Sequence, residues 1–156
     1  MDGQLQLVEH DDPVFAPVLA ALAVEYVRRY GQDHTAADTS PGDFAPPGGA
    51  LLVARVDGRT VAAGGFRRVD AATCEIKRMW TAPDLRRRGH ARRLLEALEE
   101  LAAERGYRTV RLETGPAQPE AVALYRAAGY LPDERSARHV GALGFVKHLP
   151  SGRADG

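Results

Sequence analysis

The chain has 156 residues, enough for one domain with a full core and too few for two of ordinary size. Lys+Arg and Asp+Glu each number 21, so no net charge draws the whole chain to nucleic acid or to an anionic membrane. The N-terminus MDGQLQLVEHDD has neither a basic region nor an apolar run, no stretch nears the ~20 apolar residues that span a bilayer, and a sole cysteine, Cys74, excludes an intrachain disulfide, so a cytoplasmic protein is expected.

Gln4 to Glu9 sets Leu5 and Leu7 against polar neighbours, which predicts a first strand. Asp11-Asp12-Pro13 supplies start signals for a helix whose Phe15, Val18, Leu19, Leu22, Tyr26 and Tyr30 share one face, with Gly31 as its stop. Tyr26 and Tyr30 either line a pocket or pack in the core with hydroxyls at its rim. Gln32 to Gly49 is rich in Pro, Gly and acidic residues and reads as a loop. Its Asp33, His34, Asp38, Asp43 and Phe44 are candidates for substrate contact, the alternative being a solvated connection. Ala50 to Val56 and Thr60 to Val69 are strands joined by a hairpin turn at Asp57-Gly58. Gly64-Gly65 inside the second points to a bulge or a close backbone approach. A third strand, Thr73 to Thr81, stops at Ala82-Pro83-Asp84.

From Ala91 the apolar positions take helical spacing, with Leu94, Leu95, Leu98, Leu101 and Ala102, until the stop at Glu104-Arg105-Gly106. Thr109 to Thr114 makes the next strand, and Pro119 opens a short helix carrying Ala121, Leu124, Tyr125 and Ala128, stopped by Gly129. Tyr130 to Pro132 and Ala142 to Leu149 supply the last strands, and 151–156 is expected to form a disordered tail. With no repeat and no linker, residues 1–150 form one domain. The order β-α-loop-β-β-β-α-β-α-β-β predicts an α/β fold: a mainly antiparallel mixed sheet, parallel near its middle, with helices on both faces.

The stretch between the third strand and the second helix carries the clearest chemistry. A helix start leaves backbone N–H groups without partners and is the positive end of the peptide dipoles. In Arg86-Arg87-Arg88-Gly89-His90-Ala91, Gly89 and Ala91 let a phosphate approach that backbone closely, and Arg92 and Arg93 add to the positive charge. The stretch predicts a pyrophosphate cradle. It lacks the Lys-Ser/Thr pair of a P-loop and the G-x-G-x-x-G of dinucleotide folds. A nucleic-acid patch is the competing reading, weakened by the lack of stacking aromatics and of other basic stretches.

With Arg86, Gly89 and Ala91 at its marked positions, the loop resembles the R/Q-x-x-G-x-G/A motif of the GCN5-related N-acetyltransferases, the GNAT superfamily. Leu124-Tyr125-Arg126-Ala127-Ala128-Gly129-Tyr130 resembles the same family's L-Y-x-x-x-G-F/Y segment. The element order matches too, so the likeness covers nearly the whole chain. It implies acetyl-CoA as co-substrate, held where Thr73–Thr81 and Thr109–Thr114 splay apart. Backbone groups of Met79, Trp80 and Thr81 would pair with the pantetheine arm. Backbone N–H groups of Arg87, Arg88, Gly89, His90, Ala91 and Arg92 would hold the pyrophosphate, with the Arg86 side chain adding charge. Gln118 stands where many members carry an Asn, so a cofactor hydrogen bond from it stays open.

The resemblance makes Tyr125 the proton donor to the departing thiolate, which a phenol suits; the other reading has it pack on its helix and hydrogen-bond the sulfur. Glu75 lies at the offset of the general-base Glu of GCN5-type enzymes. Period-two alternation places Glu75, Lys77, Met79 and Thr81 on one face, barring a bulge. Glu75 is either the base or a surface partner of Lys77, and Glu113, on the opposite lip of the splay, is the second candidate base. Cys74 reads as a small core residue, not a nucleophile. The histidines 10, 34, 90, 139 and 148 show no metal spacing, so no metal is expected. The expected function is acetyl transfer from acetyl-CoA to a primary amine, small or peptidic, by direct attack. The alternative is a non-catalytic acyl-CoA-binding module. Neither nucleic acid nor membrane is an expected partner, and a homodimer is left open.

Overall fold

A computed structural model describes residues 4–30, 40–115, 118–138 and 141–150, without the side chains of Tyr26, Arg29, Tyr30 and Pro41. The expectations for Asp33, His34 and Asp38, for the Tyr26 and Tyr30 side chains, for His139 and for the tail fall outside the described residues.

The strands are β1 (Gln4–Val8), β2 (Ala50–Val56), β3 (Arg59–Arg68), β4 (Thr73–Thr81), β5 (Thr109–Thr114), β6 (Leu131–Pro132) and β7 (Leu143–His148). The helices are α1 (Ala16–Tyr30), α2 (His90–Glu104) and α3 (Pro119–Ala127). The strands form one sheet in the order β1-β2-β3-β4-β5-β7-β6. Every pairing is antiparallel except β4 with β5. The α/β fold read from the sequence is therefore present, with parallel pairing in the middle of the sheet. The start signals before α1 act one turn early: the Asp12 carboxylate accepts the Val14 N–H at 2.9 Å and caps a turn from which α1 begins.

Alternation along β2 separates two apolar layers. Ala50, Leu52 and Ala54 join Phe66, Cys74, Ile76, Leu94, Leu95 and Leu98 under α2. Leu51 and Val53 join Phe15, Val18 and Leu22 under α1, with Phe44 and Ala63. Helices thus cover opposite faces, and Cys74 sits in the first layer, fully buried, its thiol pushed up to about 12 by burial.

Apart from a register shift between β2 and β3 at Ala54/Arg55, two irregularities of the ladder bear on the site. The first is an early end to parallel pairing. β4 meets β5 only through Thr73↔Thr109, Cys74↔Val110 and Glu75↔Arg111. Beyond that point β4 keeps only β3 and β5 keeps only β7 as described neighbours, so the two strands part. The second is a bulge. β3 advances two residues from Gly65 to Ala63 while β4 advances three from Lys77 to Trp80. The extra residue is taken up at Arg78, whose φ is +65°. Gly64 and Gly65 lie opposite, and a Cβ on Gly65 would run into the Ala50 carbonyl and Leu51, so the glycine pair serves both a bulge and a close approach.

The bulge corrects the alternation expected along β4. Cys74 and Ile76 face α2 before it, and Met79, an odd position, faces α2 after it. Trp80 packs instead in the α1 layer. Glu75 and Met79 therefore lie on opposite faces, because one inserted residue inverts the period-two pattern.

Candidate active site

The parting of β4 and β5 opens a cleft of about 820 Å³. One wall is Ile76 to Thr81 of β4, and the facing wall is Glu113, Thr114 and α3 with Gln118, Leu124 and Tyr125. The turn before α2 closes one end with Arg86, Arg87, Gly89, His90, Ala91 and Arg92, and Leu22 and Glu25 of α1 reach in from the other layer. Of the residues expected to act in catalysis or to bind the cofactor, Glu75 and Arg88 do not line this cleft.

Gly89 is the N-cap of α2 with φ +85°, and Arg87 two residues earlier has φ +66°. These two left-handed residues turn the chain so that the helix start faces the cleft. The first helical hydrogen bond runs from Arg93 N–H to the Gly89 carbonyl at 3.0 Å, so the N–H groups of His90, Ala91 and Arg92 have no helical acceptor. A Cβ built on Gly89 would meet nothing within 4 Å. A phosphate group fits here, since donors, dipole and free space coincide.

The arginines of the loop do not act alike. The Arg86 guanidinium donates to both Glu25 carboxylate oxygens at 3.2 Å and to the Thr81 carbonyl at 3.4 Å, joining α1 to the loop across the cleft. Arg92 pairs with Glu96 at 3.2 Å on the surface of α2. Arg88 turns away to a small groove with Val56, Asp57 and Arg59. Arg87 is exposed at the rim of the main cleft.

On the facing wall, Thr114 donates its hydroxyl to Gln118 Oε1 at 2.8 Å and ties the end of β5 to the start of α3. Glu113 is half-buried and accepts the Arg138 N–H at 2.8 Å. Tyr125 is only 6% exposed. Its ring lies edge-on to Tyr130 at 5.8 Å and beside Phe145 at 6.4 Å. These aromatic contacts limit how the phenol can turn at the cleft wall.

Glu75 is 1% exposed and sits directly across from Arg67 in the β3–β4 ladder. Its Oε1 accepts from Arg67 Nε at 3.0 Å and a second guanidinium nitrogen at 2.9 Å, with Arg111 at 3.9 Å. The partner is thus Arg67 and not the surface Lys77 that the sequence suggested. Arg67 also reaches Asp43 at 3.4 Å, and Arg78 lies over the Phe44 ring at 5.8 Å. His10 stacks on Phe44 at 6.0 Å, its pKa lowered by burial and then by the charge of Arg78. Asp43 and Phe44, candidates for substrate contact, are engaged in this cluster.

Sequence reasoning missed Glu25, Thr114 and Arg78 as cleft residues. Glu25 was findable, since it follows Leu22 by one helical turn on the buried face of α1. Arg78 was not, because its place depends on the bulge. Among the described residues no group of three His, Cys, Asp or Glu side chains could hold a metal ion, and no helix is long and apolar enough to cross a membrane.

Known proteins share this fold. The chain is 30% identical over 152 residues to the uncharacterized N-acetyltransferase YjgM of Escherichia coli strain K12, a match that covers 92% of this chain and 87% of that protein. Its fold superposes on the acetyltransferase of GNAT family from Staphylococcus aureus Mu50 with TM-score 0.77 at 15% identity, covering 94% of this chain and 99% of that one. It is also similar to a GNAT family acetyltransferase from Elizabethkingia anophelis with acetyl-CoA bound, with TM-score 0.67 at 15% identity over 94% and 97% of the two chains. The profile of the Acetyltransferase (GNAT) family matches residues 16–130, a span that takes in both the parted strands and the helix-start turn, and the chain belongs to that family.

Proposed function

We propose that this protein transfers an acetyl group from acetyl-CoA to a primary amine, by direct attack within a ternary complex. One observation carries the reading: the gap between β4 and β5 opens onto the Gly89 turn, so an extended arm and its diphosphate head would meet backbone donors along one line. Acetyl-CoA supplies the activated acetyl group and a thiolate leaving group. Met79 to Thr81 pair with the arm as an added strand would. The N–H groups from Arg87 to Arg92 hold the diphosphate, with Arg88 and His90 contributing backbone, and Arg86 and Arg87 adding charge. Gln118, its Oε1 engaged by Thr114, keeps its amide N–H groups for the arm.

Two groups move protons in this reading. Tyr125 gives its phenol proton to the sulfur as the C–S bond breaks and the new C–N bond forms. Glu113, directly or through water, takes the proton that the amine must lose. Glu113 is preferred to Glu75 as the base because it lines the cleft, whereas Glu75 is buried against Arg67. Glu75 then has a positioning task, holding β3, β4 and β5 together at the last paired residues before the strands part. No covalent enzyme intermediate is expected, since the only thiol is buried and its pKa is raised to about 12.

The test is thiol release from acetyl-CoA across a panel of amines: amino acids, polyamines, aminoglycosides and short peptides with free N-terminal or lysine amines. Saturable release that depends on one amine class is expected. Tight CoA binding with no release to any amine or to water would replace this reading with that of a binding module.

A further inference from the structure

The short helix α3 carries the proposed proton donor, yet of its nine residues Tyr125 is the only buried one. Ala121, Val122 and Leu124 pack half-buried against the same core, a short apolar stripe for a helix of this length. Its C-terminal end, with Tyr125 and Ala128 in the core, is tied by polar contacts as well. Glu99, on α2 and facing away from the cleft, accepts the Tyr130 hydroxyl at 2.8 Å through one carboxylate oxygen and the Lys147 ammonium at 2.8 Å through the other. Lys147 donates as well to the Ala128 carbonyl at 2.8 Å, the C-cap of α3, and sits over the Tyr130 ring at 5.7 Å. Tyr130, 2% exposed, is bound to Tyr125 twice: its N–H donates to the Tyr125 carbonyl at 2.9 Å, and its ring is the edge-on neighbour of the Tyr125 ring.

We infer that Glu99 is a positioning residue for acetyl transfer: by clamping Tyr130 and Lys147 it sets where the end of α3, and with it the Tyr125 phenol, stands against the cleft. Among the described residues its carboxylate is the one group that meets both arms, and neither arm touches the cleft itself. Its side chain is 11% exposed and that of Lys147 25%, so losing the charge on one leaves the other poorly solvated and free to move. An error of about an ångström at the phenol is the scale on which proton transfer fails. This inference rests on Tyr125 as proton donor, and the experiment separates the two.

The measurement is kcat, and KM for acetyl-CoA, with the amine that the panel identifies, for Glu99→Gln and Tyr130→Phe, each made in the wild-type and in the Tyr125→Phe background. Glu99→Gln keeps the shape and removes the charge; Tyr130→Phe keeps the ring and removes the clamped hydroxyl. Each is expected to lower kcat about five- to tenfold with KM for acetyl-CoA within about twofold, and to do nothing further once Tyr125 is Phe. Glu99→Asp, which keeps the charge on a shorter arm, should recover part of the loss. The same fold loss in both backgrounds, a parallel rise in KM, or no loss at all overturns the positioning role. If Tyr125→Phe alone keeps wild-type kcat, the proton-donor reading falls and the positioning role falls with it. If Glu99→Gln does not fold, Tyr130→Phe decides.

Discussion

Arg78 occupies a left-handed backbone at φ +65° in the middle of a strand, a conformation that costs a non-glycine residue roughly 1–2 kcal/mol. The cost falls where the strand must change its facing, between Glu75 behind and Met79 ahead. No residue-type signal marks it, because which of Lys77, Arg78 and Met79 is the inserted residue depends on the partner strand; the glycine pair across the ladder was the only legible trace. Glu75 shows the same limit, since its partner Arg67 is set by register, which the sequence alone does not contain. The place of Gly89 at the start of α2 was legible, since a helix cap that turns through positive φ favours glycine. Gly89→Val meets no neighbouring atom but strains a backbone at φ +85°, so the variant is expected to lose some stability; folded, it should bind CoA at least about tenfold more weakly, because the proposed cradle puts the phosphate in that space. Titration calorimetry with CoA checks this, and wild-type affinity in the folded variant would remove the cradle. Tyr125→Phe should lower kcat about tenfold, the low end for a general acid, with CoA affinity unchanged, because charge builds on sulfur only as the bond breaks. Steady-state kinetics at saturating acetyl-CoA and amine, beside a separate CoA titration, decides it: unchanged kcat assigns the ring to packing alone.

At the level of elements, hydrophobic period and stop signals place the three helices and seven strands within a few residues, because each buries one regular face. What the pattern does not carry is how neighbouring elements are tied where they meet the cleft. The Glu25–Arg86 pair is such a tie: α1 and the turn before α2 share one guanidinium, which the phosphates of the proposed cofactor would also attract. Glu25→Gln should therefore tighten CoA binding about two- to fivefold at low salt, the size of a partly exposed ion pair, and leave pantetheine, which has no phosphate, unaffected. Weaker CoA binding in the variant would mean that the pair positions the loop instead of competing with the ligand.

For the molecule as a whole, ligand binding to the folded state alone must raise its thermal stability. CoA at a hundred times its Kd should add about 2.7 kcal/mol, or roughly 5 to 10 °C in a chain of this size. A melting temperature unmoved from micromolar to millimolar CoA would reject the cofactor. The same parted strands have a second consequence. A fully paired open sheet leaves its ladder exposed only at its two outer strands, whereas among the described residues this one carries two more unpaired rims at its centre, on β4 beyond Glu75 and on β5 beyond Arg111. Unfilled backbone rims of that kind invite any extended chain to dock. On the proposed reading, the arm that fills the gap would therefore do more than deliver an acetyl group: while it stays, it would guard the middle of the sheet against strands from other molecules.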